Sequence, residues 1–365
     1  MGIKNLNTLL KRNIKDGVIT LNLNEFAYQT IAIDTSIYLY KFQYDRGNYL
    51  RKFIEQIITF WKSNITPVYI FDGAPPNEKN ETLKKRKEIK NKAKKDINTL
   101  TEEIHSQELV CEEKKKKINN FSEEESIELL IEVSEIEKNI KDSKTTLKKK
   151  VKNDITITAK EISLCKELFN LLGVKYIVAN SEADILCCEL LNSDVVDCCM
   201  SEDMDFLTHG CSKLLKNYDY KNNTVKVYLL PIILKELNIN SEQFIDICIL
   251  CGCDYSNKIN GIGPINALKY IKKYYCIEKI ITELIDNNQT TKLKIQKNFN
   301  YKRAREIFKT KNMSPLEKDD MLVSSINYDQ LIHFFKKISL KYSIRKIRIN
   351  RDNLYKSKNS GKIHT

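Results

Sequence analysis

Residues 30–36 read "TIAIDTS", a short apolar and β-branched run that ends in an aspartate followed by a small residue. The same pattern returns in "PVYIFDG" at residues 67–73. Such runs are typical of strands that are buried on both faces of a sheet and leave it at a polar edge. Between them, "YLRKFIEQIITFWKS" at residues 49–63 has the periodicity of a helix. The three segments therefore predict a β–α–β unit.

Further along the chain, the same alternation of strands and helices continues. The strand candidates are "KYIVA" (175–179), "DVVDCCMS" (194–201), "KLLKNYDY" (213–220) and "TVKVYLL" (224–230). The helix candidates are "EISLCKELFNLLG" (161–173) and "EADILCCELLN" (182–192). This order predicts an α/β fold with a central, mostly parallel sheet.

The composition narrows the class of protein. The 365 residues suffice for one large α/β domain with insertions or for two ordinary domains, and 42% of them are hydrophobic. The net charge of +13 indicates a polyanionic partner, most simply nucleic acid. No apolar run approaches the roughly 20 residues that span a bilayer. The N-terminal "MGIKNLNTLL" lacks the apolar region of a secretory signal, so we expect an intracellular protein.

Eleven cysteines raise the alternatives of disulfides or a zinc site. Without a secretory signal we expect a reducing compartment, where structural disulfides are rare. The spacing most like a metal site is Cys248-x-x-Cys251-x-Cys253, but the first two lie in the apolar run "FIDICILC". In such surroundings a free cysteine behaves as a small hydrophobic residue. Buried thiols are therefore favoured over a zinc-binding interaction module.

Residues 79–152 differ in composition from the segments on either side. Residues 79–96 carry nine Lys or Arg and three Asp or Glu. Apolar residues then recur at every seventh position: Ile97, Ile104, Cys111 and Ile118, and again Val133, Ile140 and Leu147. This spacing predicts two long helices in an antiparallel hairpin of partly coiled-coil character, with a free charged linker as the alternative.

The C-terminal third contains two basic segments. "KINGIGPINALKYIKKYY" at residues 258–275 begins with a glycine-rich turn and continues as a basic amphipathic helix, and residues 331–351 hold seven Lys or Arg and no acid. We predict disorder for residues 351–365. The predicted divisions are 1–78 and 153–256 for the two parts of the α/β domain, 79–152 for the helical insertion, 257–350 for a C-terminal helical region, and the tail.

Carboxylates recur where the predicted strands end and the predicted helices begin. They are Asp34, Asp72, Glu182, Asp184, Asp203, Asp205 and Asp254. The carboxyl ends of parallel strands line the ligand crevice of an open sheet, so these acids should converge there. Together they would repel one another unless cations neutralised them, and Mg²⁺ or Mn²⁺ suits such oxygen ligands. Two such ions about 3.5–4 Å apart can clamp a phosphodiester. Any one acid taken alone could equally be a solvated strand end or a helix cap.

Seven motifs occur in the order and spacing of the XPG/flap-endonuclease family, which this chain resembles from residue 1 to about residue 275, apart from the hairpin. They are "MGIKNL", "AIDTSIYLY", "VYIFDGAPP", "SEADILC", "SEDMDFL", "LCGCDY" and "GIGPINAL". The resemblance implies a PIN-like nuclease domain, a helical arch formed by the insertion and a helix–hairpin–helix that binds DNA. It also implies two Mg²⁺ ions, for which Mn²⁺ can substitute, and cleavage at 5′ flaps and junctions of branched DNA, together with 5′–3′ exonuclease activity.

The resemblance also suggests roles for individual residues. Asp34, Asp72, Glu182 and Asp184 would serve one metal ion, and Asp203, Asp205 and Asp254 the other. Lys79 and Arg86 match the catalytic basic pair at the base of the arch, and their separation of seven places them on one helix face. The substrate-binding residues would be Tyr40, which would stack on a nucleotide, Gly2 at a phosphate, and Gly261 and Gly263, whose turn would hold duplex phosphates with a K⁺ ion. Without the resemblance, Tyr40 reads as a core aromatic and the two glycines as a plain turn.

Some positions depart from the family pattern. Asp184 stands where the family usually has a glutamate, and residues 265–266 are Ile-Asn instead of a basic pair. The segment from Asp34 to Asp72 is short, which puts recognition of a 3′ flap in doubt. "QLIHFF" at residues 330–335 has the wrong spacing for a sliding-clamp motif. We expect a monomer that binds branched or nicked DNA in a nucleus or a viral replication site. An RNA-directed nuclease or a catalytically silent DNA-binding scaffold are the alternatives.

Overall fold

A computed structural model describes residues 2–44, 48–118, 123–286, 293–309 and 316–360. Its strands are β1 (Val18–Asn22), β2 (Thr30–Asp34), β3 (Thr66–Phe71), β4 (Tyr176–Val178), β5 (Cys198–Met200), β6 (Lys213–Asp219), β7 (Thr224–Leu229), β8 (Ile259–Asn260) and β9 (Lys294–Ile295). Its helices in the first half are α1 (Leu6–Asn13), α2 (Thr35–Tyr44), α3 (Tyr49–Lys62), α4 (Asn80–Lys117), α5 (Glu123–Asn153), α6 (Ala159–Leu171) and α7 (Ala183–Asn192). The later helices are α8 (Asp205–Thr208), α9 (Leu230–Leu237), α10 (Ser241–Cys251), α11 (Pro264–Tyr274), α12 (Ile277–Ile280), α13 (Tyr301–Lys309), α14 (Tyr328–Lys337) and α15 (Ile344–Ser360).

The chain divides into two units. One comprises Met1–Phe42, Gly47–Asn80 and Thr158–Thr365, and the other comprises Gln43–Arg46 and Glu81–Ile157. The second unit therefore corresponds closely to the insertion that the sequence places at residues 79–152. Within the described ranges, no helix is long and apolar enough to cross a membrane.

The first unit contains a seven-stranded sheet in the order β1-β7-β6-β5-β2-β3-β4. The pairs β5–β6, β5–β2, β2–β3 and β3–β4 are parallel, and the pairs of β7 with β6 and β1 are antiparallel. This confirms the mostly parallel sheet. The edge strand β1 was not predicted, because its run of five residues is short and only partly buried.

Strands β5, β2 and β3 are neighbours at the centre of the sheet. Ile31 of β2 pairs with Cys198 on one side and with Pro67 on the other, in the same parallel direction. All six residues of β3 are buried, as expected for a strand covered on both faces. The carboxyl ends of these three strands therefore open at one edge, and the residues that follow them meet there.

Aromatic side chains pack one face of the sheet against α3 and α6. The ring of Phe169 stacks on Tyr69 at a centroid distance of 4.3 Å and meets the edge of Phe53 at 5.3 Å. The Tyr69 hydroxyl donates a hydrogen bond of 2.9 Å to Gln56, so its polar end is satisfied inside the core. Burial of each such ring contributes about 1.5–3 kcal/mol, which makes this layer a large part of the stability of the unit.

The cysteines are part of the core. All eleven are free thiols; nine are buried, and Cys253 and Cys276 are partly exposed. Cys187, Cys199 and Cys211 lie in the main hydrophobic cluster of the first unit. This confirms the interpretation of the cysteines as packing residues rather than disulfides.

The second unit contains the predicted helical hairpin. Four of the seven positions in the apolar repeat are buried together in one cluster. They are Ile104 and Cys111 of α4 and Val133 and Ile140 of α5. Ion pairs cross from one helix to the other at Lys115–Glu137 (2.6 Å), Lys144–Glu108 (2.6 Å) and Lys150–Asp96 (3.6 Å). Residues further along α4 pair with residues nearer the start of α5, so the two helices are antiparallel.

The prediction of disorder from residue 351 is wrong at its beginning, because α15 continues through Ser360. The Arg351 side chain is 2% exposed and lies 5.0 Å from the centre of the Trp61 ring. Its guanidinium also donates a hydrogen bond of 2.6 Å to the carbonyl oxygen of Ser324. A charge pattern cannot reveal that one arginine of a basic segment is stacked in the core, so the helix was missed.

Candidate active site

Two of the predicted metal ligands lie directly at the ends of the central strands. Asp34 is the last residue of β2 and is 8% exposed, and Asp72 follows β3. The Asp34 carboxylate accepts hydrogen bonds from the Ser201 hydroxyl at 3.0 Å and from the Ile37 N–H at 3.3 Å. The Asp72 carboxylate accepts from the Ala183 N–H at 2.9 Å, at the start of α7. This hydrogen bond ties the end of β3 to the first turn of α7.

Glu182 and Asp184 lie at that same N-terminus. Glu182 is 7% exposed, and its two oxygens accept hydrogen bonds from the Lys79 ammonium and from the Tyr255 hydroxyl, the latter at 2.6 Å. The Lys79 ammonium is also 3.8 Å from a carboxylate oxygen of Asp254. Asp184 accepts from the N–H of Ile185 at 2.8 Å. One lysine therefore ties together acids from two distant parts of the sequence.

The loop after β5 supplies Asp203 and Asp205. The Asp203 N–H donates to the Ser201 hydroxyl at 3.0 Å, and the Asp205 N–H donates to the Asp203 carboxylate at 3.1 Å. Asp205 is 2% exposed, and its Oδ1 is buried without a hydrogen-bond partner among the described residues. Such an orphaned oxygen is costly unless a further cation or donor satisfies it.

Electrostatic repulsion joins these acids into one group. Burial, followed by repulsion from Asp72 and Asp184, raises the pKa of Asp34 to about 8. Burial likewise raises the pKa of Asp184 to about 7, against the opposing effect of Lys79, and repulsion from Asp203 adds to the rise. Each of these carboxyls is therefore costly to ionise next to the others, as expected of a site that requires positive charge.

The pKa values of Glu182 and Asp205 are also raised, in both cases by burial first. Asp184 adds to the rise for Glu182, and Asp203, Asp184 and Asp254 add to the rise for Asp205. These interactions bring all seven predicted carboxylates into one electrostatic network. For Lys79, burial lowers the pKa, but the attraction of Glu182, Asp184 and Asp254 outweighs burial and raises it overall.

The donor set fits a hard divalent cation in its chemistry: several carboxylates, little sulfur, and one buried oxygen that lacks a partner. Across the described ranges, however, no three His, Cys, Asp or Glu side chains are spaced so that they could hold an ion together. Lys79 and Tyr255 engage both oxygens of Glu182. The acids therefore lie near one another, and the Lys79 ammonium group supplies the positive charge beside them.

Gly2 lies against the acids of this loop. Its φ of +79° suits glycine, and a Cβ at this position would overlap the carboxylates of Asp203 and Asp205. The N-terminal segment therefore approaches these two acids more closely than any residue with a side chain could. Gly2 therefore lies beside Asp203 and Asp205, and its role at a phosphate stays a prediction.

The other predicted site residues are placed as follows. Lys79 ends a 3₁₀ turn, Asn77–Lys79, in the first unit, whereas Arg86 lies on α4 in the second unit. Tyr40 on α2 is 45% exposed, so the alternative interpretation as a core aromatic is wrong. Gly261 has a φ of +87° and Gly263 precedes the first residue of α11.

Three residues near the acids were not singled out from the sequence. Tyr255 follows Asp254 directly, and its ring lies 5.1 Å from Phe308 of α13. His209, which follows α8, lies 4.9 Å from the same Phe308 ring, and burial lowers its pKa to about 4. Gly73 follows Asp72, and a Cβ there would overlap the carbonyl oxygen of Ala179. Two of them had a signal: Gly73 is the small residue that follows the aspartate in the strand pattern, and Tyr255 is the last residue of the motif "LCGCDY".

Two family models match the chain. The XPG N-terminal domain matches residues 1–93, and the XPG I-region matches residues 173–254. Both ranges contain acids of the candidate site, and the helical hairpin lies mostly between them.

Curated proteins with similar sequences are flap endonucleases. Flap endonuclease 1 of Entamoeba histolytica is 32% identical over 326 residues, which cover 84% of this chain and 75% of that protein. Flap endonuclease 1 of Drosophila grimshawi is 30% identical over 351 residues, covering 92% and 80%. A probable RAD2-like endonuclease of Invertebrate iridescent virus 6 is 29% identical over 383 residues, covering 95% and 91%.

Solved structures share the fold. The catalytic core of Rad2 in complex with DNA substrate has a TM-score of 0.66 at 20% identity and covers 97% of this chain and all of that chain (100%). Flap endonuclease-1 from Methanococcus jannaschii has a TM-score of 0.59 at 19% identity, with 93% and 95% covered. Human GEN1 in complex with Holliday junction DNA has a TM-score of 0.60 at 15% identity, with 97% and 77% covered.

Proposed function

We infer the function of this chain from the family to which it belongs, the XPG/flap-endonuclease family: it is a metal-dependent nuclease that hydrolyses phosphodiester bonds in branched DNA. We propose more specifically that it cuts at 5′ flaps and junctions and also has 5′–3′ exonuclease activity. Its place would be DNA replication, repair or recombination, in a nucleus or a viral replication site, as a monomer.

One observation carries this proposal: seven acids from five separate parts of the sequence interact electrostatically around the ends of β5, β2 and β3. Asp34 follows one strand, Asp72 the next, and Asp203 the third, and the start of α7 and the end of α10 contribute the others. A chain with a net charge of +13 attracts a polyanion, while this acidic group repels it. Divalent cations resolve the conflict, because they bind carboxylates and phosphate together.

We propose that Asp34, Asp72, Glu182 and Asp184 hold one Mg²⁺ ion and that Asp203, Asp205 and Asp254 hold a second. Mn²⁺ would substitute in both sites, since it accepts the same oxygen ligands. When bound, the two ions would supply charge stabilisation to both the attacking and the leaving oxygen of the phosphodiester. The unpartnered Oδ1 of Asp205 supports its role as a ligand.

The protein's own groups would position the substrate. Lys79 would turn its ammonium from Glu182 toward the scissile phosphate. The family resemblance suggests Arg86 as the second catalytic cation. Tyr40, which is 45% exposed, offers its ring as a stacking surface for a base. Gly2 leaves room for a phosphate beside Asp203 because it has no side chain.

We propose that the turn at Gly261–Gly263 contacts the duplex away from the cut. The turn connects β8 to α11, whose first N–H groups have no partners within the helix and suit a phosphate. The positive φ of Gly261 turns the backbone there. The carbonyl oxygens of this turn would hold a K⁺ ion, which would supply positive charge near the duplex phosphates. Ile265, on the first turn of α11, is 54% exposed and adds no charge.

The test is cleavage of a labelled 5′-flap DNA by the full chain. Asp203→Ala should abolish cleavage in Mg²⁺ while DNA binding in Ca²⁺ stays close to that of the wild type. Asp329→Ala, an exposed acid on α14, is the matched control and should cut normally. Cleavage by Asp203→Ala at the wild-type rate would overturn the metal assignment. Equal rates on RNA and DNA flaps would favour an RNA-directed enzyme.

A further inference from the structure

His209 lies beside the candidate metal ligands but has no place in the proposed chemistry. His209 is 5% exposed, and its ring centroid lies 4.9 Å from that of Phe308 and 6.3 Å from that of Tyr255. Its backbone N–H donates to the carbonyl oxygen of Asp205 at 2.9 Å, which fixes its position after α8. Phe308 and Tyr255, whose ring centroids are 5.1 Å apart, therefore pack on the same side of the imidazole and restrict its movement.

The imidazole edge faces a carboxylate. Nε2 of His209 is buried without a hydrogen-bond partner in the described part of the chain, and it lies 3.7 Å from Oδ2 of Asp184. The other oxygen of Asp184 accepts the N–H of Ile185 at 2.8 Å. A neutral imidazole carries one N–H, and a buried donor without an acceptor is costly. Oδ2 of Asp184 is the acceptor that a small side-chain rotation would bring within hydrogen-bond distance.

Asp184 is also an unusually short acid for this position. Lacking one methylene of a glutamate, its carboxylate reaches less far from the backbone of α7 toward Asp203. Its orientation thus depends more on what holds its oxygens than the orientation of a longer side chain would. The Ile185 N–H holds Oδ1 and His209 lies near Oδ2, so a donor at His209 would fix the plane of the carboxylate.

We propose that His209 is a positioning residue for Asp184: its Nε2–H donates to Oδ2 and orients the carboxylate for a divalent cation. The proposal rests on the proposed function, because it assigns Asp184 to the metal site. Hydrogen bonds to ligating carboxylates commonly set metal affinity in this way. The competing account makes His209 an aromatic residue that only fills space beside Phe308 and Tyr255, for which any flat ring would serve.

Two variants separate these accounts. His209→Phe keeps a ring beside Phe308 and Tyr255 and removes the donor, whereas His209→Gln places an amide N–H near the position of Nε2. Mg²⁺ binding to the DNA-free full chain is measured by titration calorimetry, and urea unfolding in EDTA measures the fold without metal. We expect His209→Phe to weaken Mg²⁺ binding about 10-fold and His209→Gln to retain most of the affinity. Wild-type affinity in His209→Phe, or equal losses in both variants, would overturn the proposal.

A spectroscopic test needs no folded His209 variant. The chain has four histidines, so the imidazole ¹⁵N resonances of the full-length protein are few. Asp184→Asn should shift one Nε2–H resonance that the exposed Asp329→Asn leaves unchanged. If no imidazole signal responds to Asp184→Asn, the contact does not exist and the proposal fails. That failure is distinct from failure of the proposed function, which the Asp203→Ala cleavage assay decides independently.

Discussion

The Tyr255 hydroxyl donates a hydrogen bond of 2.6 Å to Oε2 of Glu182, while the Lys79 ammonium holds the other oxygen of the same carboxylate. Tyr255 comes from the segment after α10 and Glu182 from the segment before α7. This hydrogen bond therefore connects parts of the site that lie far apart in the sequence. Since Tyr255 is 4% exposed, its ring also forms part of the core beneath the acids.

Tyr255→Phe should weaken Mg²⁺ binding and flap cleavage about 10-fold, because a carboxylate that loses a fixed donor is less well oriented. Stability should fall by only about 1 kcal/mol, since the ring remains and a single hydrogen bond is lost. Metal titration and urea unfolding on the same preparation check both values. Tyr28→Phe, at a tyrosine that is 62% exposed, serves as the control. A variant with full metal affinity would show that Tyr255 only fills space.

Gly2→Ala should reduce cleavage about 10-fold or more, since the added methyl overlaps the Asp203 and Asp205 carboxylates and must displace them. The left-handed backbone at Gly2 adds strain for alanine. Thr8→Ala, at an exposed position of α1, is the matched control and should keep wild-type rates. Flap-cleavage rates at saturating Mg²⁺ measure the effect. Unchanged rates in Gly2→Ala would mean that the N-terminus lies elsewhere in the active enzyme.

Arg305→Met should lower the free energy of unfolding by about 3 kcal/mol, because it leaves Asp246 charged and buried without its partner. The Arg305 guanidinium lies 2.8 Å from the carboxylate of Asp246, which is 3% exposed. Arg303→Met removes the nearby ion pair with Glu78, but the Arg303 side chain is 49% exposed, so solvent screens this pair and the loss of stability should be much smaller. Urea unfolding at pH 7 compares the two. Equal losses would contradict the importance of burial here.

Glu278→Gln should destabilise the protein at pH 7 but progressively less in acid. The hydrogen bond from Arg305 lowers the pKa of Glu278 to about 2, below its ordinary value of 4.5. A carboxyl with a lowered pKa contributes stability above its unfolded pKa and loses that contribution as the pH falls toward the folded value. The stability difference between wild type and variant should thus shrink between about pH 4.5 and pH 2. A difference that stays constant over this range would show that the ion pair adds nothing.

The predicted parts of the site are those whose position follows from strand direction. Asp34 and Asp72 end neighbouring parallel strands, and a buried apolar run followed by an acid reveals such an end without any structure. Glu182 and Asp184 were found because motifs of the family locate them. In each case the sequence pattern that predicts the site residue spans only a few neighbouring residues.

The parts that were missed depend on contacts between distant segments. His209 and Tyr255 acquire their surroundings from Phe308, which lies about fifty to a hundred residues further along the chain. Arg351 stacks on Trp61 from the opposite end of the sequence. Nothing in the residues around His209 or Arg351 distinguishes them from exposed polar residues, because tertiary packing alone decides their burial.

The buried thiols of this chain can serve as natural probes of local unfolding. Nine cysteines are shielded from solvent in the folded protein, several of them around Cys199 beneath the acidic edge of the sheet. An alkylating reagent added in excess would modify each buried thiol at a rate limited by local opening of the structure around it. Counting the modified sulfurs by mass spectrometry over time would therefore rank the segments by local stability, with no label introduced by mutation.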